Sequence, residues 1–187
     1  MKPDFEKAQN TATMLLLQQN VNSLYIDVRN FNLPAFITID TMQNYAMLTG
    51  FPLCMLRESQ VDGSCVIKTG GRCIILYDDA VQNEQRKHWG IAHELGHIFL
   101  GHEDDSEKSE KEAHFFAAQI VAPEIVLMEL CRRRGRLNDA EIYWYFNLSH
   151  EAAEKRLTTL LRRSTFNFAD IDKQLLIKFI PLLARAA

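Results

Sequence analysis

The chain has 187 residues, 47% of them hydrophobic and 24% charged, with a net charge of −3. This is globular composition, enough for a sizeable core in one domain or one domain with a small appendage. It excludes disordered and fibrous classes, and no apolar run reaches the roughly 18–20 residues of a membrane span. Met14-Leu15-Leu16-Leu17 is too short for a signal h-region and is followed by Gln18-Gln19-Asn20, so a cytoplasmic protein is expected. Cys54, Cys65, Cys73 and Cys131 contain no CxxC pair and no framework spacing, and read as free thiols.

In chain order, residues 4–19 read as a helix with Asp4 as N-cap and Ala8, Ala12, Leu15 and Leu16 on one face. Residues 23–31 and 35–39 are of mixed character, separated by Pro34, and residues 41–48 form a short helix ended by Gly50. Two extended runs, at 65–67 and 73–77, flank the turn signal Thr69-Gly70-Gly71-Arg72 and predict a hairpin. A helix begins near Asn83 and stops at Gly101, and a charged link leads into a second helix over 109–121, halted by Pro123. Residues 124–134 make another helix before Gly135.

Beyond it, Asn138 caps 140–146 and Ser149 caps 151–163, giving a helix-turn-helix outline in which Tyr143, Trp144, Phe146 and Leu148 read as the interhelical core. A last amphipathic helix covers 170–183. Charge is uneven along the chain: residues 1–130 carry 10 basic against 18 acidic side chains, and residues 131–187 carry 11 against 6. Arg156, Arg162 and Arg163 are the arginines that would face phosphates if the C-terminal helices read DNA. A modest basic excess is also what solvated amphipathic helices produce, so nucleic-acid binding is not expected.

The chemistry concentrates in His93-Glu94-Leu95-Gly96-His97, inside an apolar run from Ile91 to Leu100. Histidines four apart stack on one helix face and can bind one zinc, while the glutamate after the first lies near the metal and is free to act as a base. Two core histidines could occupy such a helix for packing alone. Against that, histidine and glutamate are costly to bury unpaired, and here they interrupt a buried stripe of Ile91, Leu95, Ile98 and Phe99. A catalytic zinc takes three protein ligands and leaves one position open. For the third, the residues themselves offer His102, Glu103, Glu110, Glu112 and His114, and composition does not choose among them.

The segment Arg86 to His97, together with Glu110-Lys111-Glu112-Ala113-His114-Phe115-Phe116-Ala117-Ala118 and Val121-Ala122-Pro123, resembles the ImmA/IrrE-type metallopeptidases. The family pattern has Glu-Ala-Asn-x-Phe-Ala-Ala, with His114 here in place of the asparagine. The resemblance is good over about residues 65–125 and weaker over 142–160. It implies a mainly helical α+β, zincin-like fold with a small sheet around the 65–77 hairpin. Residues 1–135 would form the metallopeptidase domain, and 136–187 a helical, helix-turn-helix-like segment packed on it. It also implies His93, His97 and Glu112 as ligands of Zn2+, with Glu94 as catalytic base.

Members act in bacteria and their mobile elements, and some cleave a helix-turn-helix repressor to release the genes it silences. A site-specific zinc endopeptidase acting on such a repressor is therefore the expected function. The alternative is a non-catalytic module that binds a repressor or antitoxin-like partner; the intact Glu94 argues for the enzyme. Ile74–Tyr77 would offer a sheet edge for an extended protein substrate. Tyr77, His88, His102 and His114 are candidate oxyanion donors, with His102 alternatively a partner for the helix C-terminus.

Overall fold

The computed structural model describes residues 2–58, 63–162 and 168–186. Among these, nine α-helices, one 3-10 turn and three strands make a mainly helical α+β protein with a small sheet, as expected. The chain divides into two compact units, residues 1–3 with 27–114 and residues 4–26 with 115–187. That division falls between His114 and Phe115 and cuts across the expected boundary after residue 135.

In the first unit, strands β1 (Ile37–Thr41), β2 (Ser64–Thr69) and β3 (Arg72–Tyr77) form a sheet in the order β1-β3-β2. β3 runs antiparallel to β2, with Ser64 opposite Tyr77 and Thr69 opposite Arg72. Gly70 and Gly71 join them, both in the left-handed conformation that a two-residue hairpin of the favoured twist requires. β3 also runs parallel to β1, from Ile37 opposite Cys73 to Thr41 opposite Tyr77. The expected docking edge at Ile74–Tyr77 is thereby corrected: β3 is the central strand, its ladder groups are engaged on both sides, and β1 and β2 are the edges. The physical reason is legible in burial. Ile75 and Leu76 are neighbours that point to opposite faces, and both are fully buried, so both faces of the strand are covered.

Helix α2 (Met42–Thr49) starts where the Thr41 hydroxyl accepts from Asn44 N–H and ends at Gly50, whose φ is 73°. Helix α3 (Leu53–Glu58), which the pattern of the sequence did not reveal, places Leu56 against Met42 and Leu76 in a small core. Helix α4 (Glu84–Leu100) is capped by Asn83 and buries Ile91, Ala92, Leu95 and Leu100, packing on β2 and β3. The His88 ring, also buried, accepts at Nε2 from the Val28 N–H (3.1 Å) and ties α4 to the 3-10 turn Val28–Asn30.

Helix α5 (Glu107–Val121) begins two residues before the expected start and passes from the first unit into the second. Within the second unit, α1 (Phe5–Gln18) has Asp4 as its cap and buries Ala8, Ala12, Leu15 and Leu16 as its pattern predicts. α6 (Glu124–Arg134), α7 (Asp139–Phe146), α8 (His150–Arg162) and α9 (Asp170–Ala186) follow. α9 packs on α1 and α6, and α7 packs on α8. Asn138 and Glu141 form a reciprocal capping box at the start of α7.

Phe146 and Leu148 are buried as expected, but Trp144 is 78% exposed and Tyr143 instead stacks on His150, 4.1 Å between centroids. Arg156 is buried and turned inward, Nε and Nη2 donating to the Ala122 carbonyl (3.0 and 2.7 Å) and Nη1 to Glu124 (3.3 Å). It is therefore not the phosphate-facing arginine the sequence suggested. Arg163 lies outside the described residues. No single helix among the described residues is long and apolar enough to cross a membrane.

Candidate metal centre

His93 and His97 lie one turn apart on the buried face of α4, with the apolar positions Ile91 and Leu95 holding the helix in the interior. Their Nε2 atoms are 3.0 Å apart. Into the same spot the first turn of α5 brings Glu110, with Oε2 3.4 Å from His93 Nε2 and Oε1 3.2 Å from His97 Nε2. Glu110 also belongs to both groups whose ligand atoms cluster closely enough for one ion, His93–Glu110–His114 and His97–Asp105–Glu110.

Glu112, the expected third ligand, stands outside both of these groups. Its carboxyl is 3% exposed and directed to His102, with Oε2 3.0 Å from His102 Nε2, while Oε1 is 3.5 Å from Lys108 Nζ. The cause is helical periodicity. Residues two apart are rotated by about 200° around a helix, so Glu110 and Glu112 cannot present their carboxyls to one point. His114, four residues after Glu110, shares its face, and its ring lies 4.5 Å from that of His93.

Glu94 stands beside the pair with Oε1 3.4 Å from the Ser64 hydroxyl of β2, a neighbour that no sequence motif singles out. Burial pushes the Glu94 carboxyl up to about 7; Ser64 opposes this, and the negative charges of Glu110 and Asp105 add to it. Burial lowers His93 to about 3, helped by repulsion from His114, His97 and His102. Burial also lowers His97, against the pull of Glu110. Both imidazoles are thus held neutral, the form in which histidine binds a metal.

Among the other candidate donors, His88 is committed to Val28, and His102 lies between His97 (3.2 Å, Nδ1 to Nδ1) and Glu112. His114 is exposed and flanks the centre, stacked at 6.1 Å on Trp89. The expected role of His102 at the end of α4 has a backbone counterpart. Gly101 adopts φ 73°, and His102 N–H donates to the His97 carbonyl at 3.0 Å.

Two imidazole nitrogens and one carboxylate converge on one point, the Nε2 atoms of His93 and His97 3.0 Å apart and each within 3.4 Å of the Glu110 carboxylate. This donor set, two imidazoles and a carboxylate, fits a divalent metal such as zinc. Two histidines of a HExxH helix with an acidic side chain from the next helix make the kind of site that metallopeptidases use. The profile of the Peptidase M78 family, described as the IrrE N-terminal-like domain, matches residues 54–158, and the chain belongs to that family of metallopeptidases. No curated protein and no solved structure matches the chain.

Proposed function

We propose that this protein is a zinc-dependent endopeptidase whose metal is held by His93, His97 and Glu110, with Glu94 as general base. The observation that carries the reading is the convergence of the two Nε2 atoms and the Glu110 carboxylate within 3.0–3.4 Å, with Glu94 adjacent in the next helical position. A zinc ion bound there supplies Lewis acidity, polarising a carbonyl and making water a nucleophile near neutral pH.

The remaining work falls to the chain. Glu94 takes the proton of the attacking water on its carboxylate and returns it to the leaving amine. Its raised pKa, about 7, matches a group that must hold a proton briefly and give it up. Ser64 Oγ, 3.4 Å from Oε1, limits the rotation of that carboxylate. His114, exposed beside His93, is the available donor toward a developing oxyanion.

A protein substrate in extended form would add along the outer edge of β2, the edge strand that carries Ser64 toward Glu94. Main-chain hydrogen bonds there would supply affinity and alternate side-chain pockets selectivity. The substrate class we propose is a helix-turn-helix transcriptional repressor, on the resemblance of the 86–123 motifs to peptidases that derepress bacterial mobile elements or stress genes.

Incubation of the zinc-loaded protein with the repressor encoded beside it tests this. One discrete cleavage, abolished by Glu94→Gln without loss of zinc, is the expected result. A repressor bound intact by wild-type protein that carries zinc would replace the enzyme by a binding module.

A further inference from the structure

We propose that Asp105, in the loop between α4 and α5, is a fourth and displaceable carboxylate ligand of the metal. The chain itself then closes the resting centre until an incoming ligand takes that position. The inference rests on the reading of His93, His97 and Glu110 as the ligand set.

Its basis is the place of the Asp105 carboxylate. An oxygen of that group lies within 4.8 Å of a ring nitrogen of His97 and of a carboxylate oxygen of Glu110, close enough for the three to share one ion. The negative charge of Asp105 bears on Glu94 as well as on His97. Asp105 thus flanks the centre on the His97 side, as His114 flanks it on the His93 side.

The loop sets it there. Asp104 is engaged by the start of α5, its Oδ1 accepting from the Ser106 N–H (3.2 Å) and the Ser109 hydroxyl (2.9 Å). Ser106 accepts at Oγ from the Ser109 N–H (3.3 Å) and at its carbonyl from the Glu110 N–H (2.9 Å). At the other end of the loop, His102 N–H donates to the His97 carbonyl (3.0 Å) and Lys68 Nζ to the His102 carbonyl (2.9 Å). Between these anchors Asp105 is exposed and makes no hydrogen bond or ion pair among the described residues. Neither the cap of α5 nor the tie to α4 uses its carboxylate.

A zinc held by two imidazoles and one carboxylate has one position of its tetrahedron left. Structural zinc sites fill that position with a fourth protein ligand, and catalytic sites keep it open. A carboxylate on an exposed loop lets one centre pass between the two states. His93 and His97 are buried on α4 and stay in place. His114 belongs to α5 and stacks on Trp89, so the loop residue is the one able to leave without disturbing a helix.

The test uses the full chain, stripped of metal and reloaded with zinc or cobalt(II). Zinc affinity is measured against a chromophoric chelator for wild type, Asp105→Asn, Asp105→Ala and His114→Phe. Imidazole, a neutral ligand, is then titrated into the cobalt forms, whose visible absorption reports its entry. Loss of a group that only supports a ligand weakens metal binding by about 10–100-fold, so loss of Asp105 is expected to cost at least about 10-fold. Imidazole is expected to bind both Asp105 variants more tightly than wild type, because no carboxylate of the chain competes with it.

Unchanged imidazole affinity in the Asp105 variants would overturn the proposal whatever the zinc affinity, since a nearby charge that occupies no metal position weakens zinc alone. Tighter imidazole binding in His114→Phe and not in the Asp105 variants would overturn it too, by giving the fourth position to His114. A wild type that takes up neither metal removes the peptidase reading and this one with it. One metal bound equally by wild type and both Asp105 variants, with equal imidazole affinity, removes this one alone.

Discussion

In residues 115–187 the buried guanidinium of Arg156 meets the Ala122 carbonyl and the Glu124 carboxylate, each donor opposite an acceptor. On α4, by contrast, the Nε2 atoms of His93 and His97 and the Glu110 carboxylate gather within 3.4 Å of one another, three groups that each can bind a cation. Burial is similar, with Arg156 at 6% exposed, His93 at 6% and His97 at 9%. What differs is the kind of groups brought together. The Arg156 cluster is complete within the chain and serves the fold. The α4 cluster gathers two imidazoles and a carboxylate, the groups that bind a divalent cation, which is how a binding site differs from a structural network.

The sharpest way to test that difference is to remove one group from each. At the centre, Glu94→Gln is expected to lower peptide-bond cleavage by about 10²–10⁴-fold, the usual contribution of a general base, with zinc content unchanged. Steady-state cleavage with elemental analysis of the same sample checks it. In the Arg156 cluster, Arg156→Ala takes the guanidinium away from the buried Glu124 and is expected to cost about 3–5 kcal/mol. Arg156→Met should cost less, since it retains volume, and denaturant unfolding measures both. Zinc affinity is the cross-check, and neither arginine variant should alter the ligand set.

Two smaller effects probe how the backbone supports each region. Gly101→Ala forces a Cβ into a φ of +73° with no contact in the way, so the expected cost is conformational, about 1–2 kcal/mol. Asn138→Ala removes one half of the capping box of α7 and should cost about 1 kcal/mol in thermal unfolding. It should leave zinc affinity as it is.

Much of this was legible in the sequence because local rules decide it. Asp4, Thr41, Asn83 and Asn138 cap the starts of α1, α2, α4 and α7, and Gly50, Gly101 and Gly135 close α2, α4 and α6 in left-handed conformation. The HExxH spacing alone brings His93 and His97 together, since residues four apart on a helix have no other choice.

What depended on tertiary placement was not legible. Glu110 and Glu112 are equivalent by composition, and only the rotation of α5 decides which faces the histidines. β3 was expected at an edge because a hairpin has two; the parallel pairing of β1, some 36 residues earlier in register, makes it central. The unbroken run Ile74-Ile75-Leu76 carried that signal, since a strand covered on one face only would alternate. Trp144 was placed in a core by its type, yet it is exposed while Phe146 and Leu148 fill the space.

The central claim is that the metal sits among His93, His97 and Glu110. Anomalous diffraction at the zinc edge from crystals of the zinc-loaded protein tests it most directly. The account predicts one peak bonded to both Nε2 atoms and to the Glu110 carboxylate, with Glu112 still hydrogen-bonded to His102. A peak bonded to Glu112 in place of Glu110, or none at the α4 histidines, would contradict it.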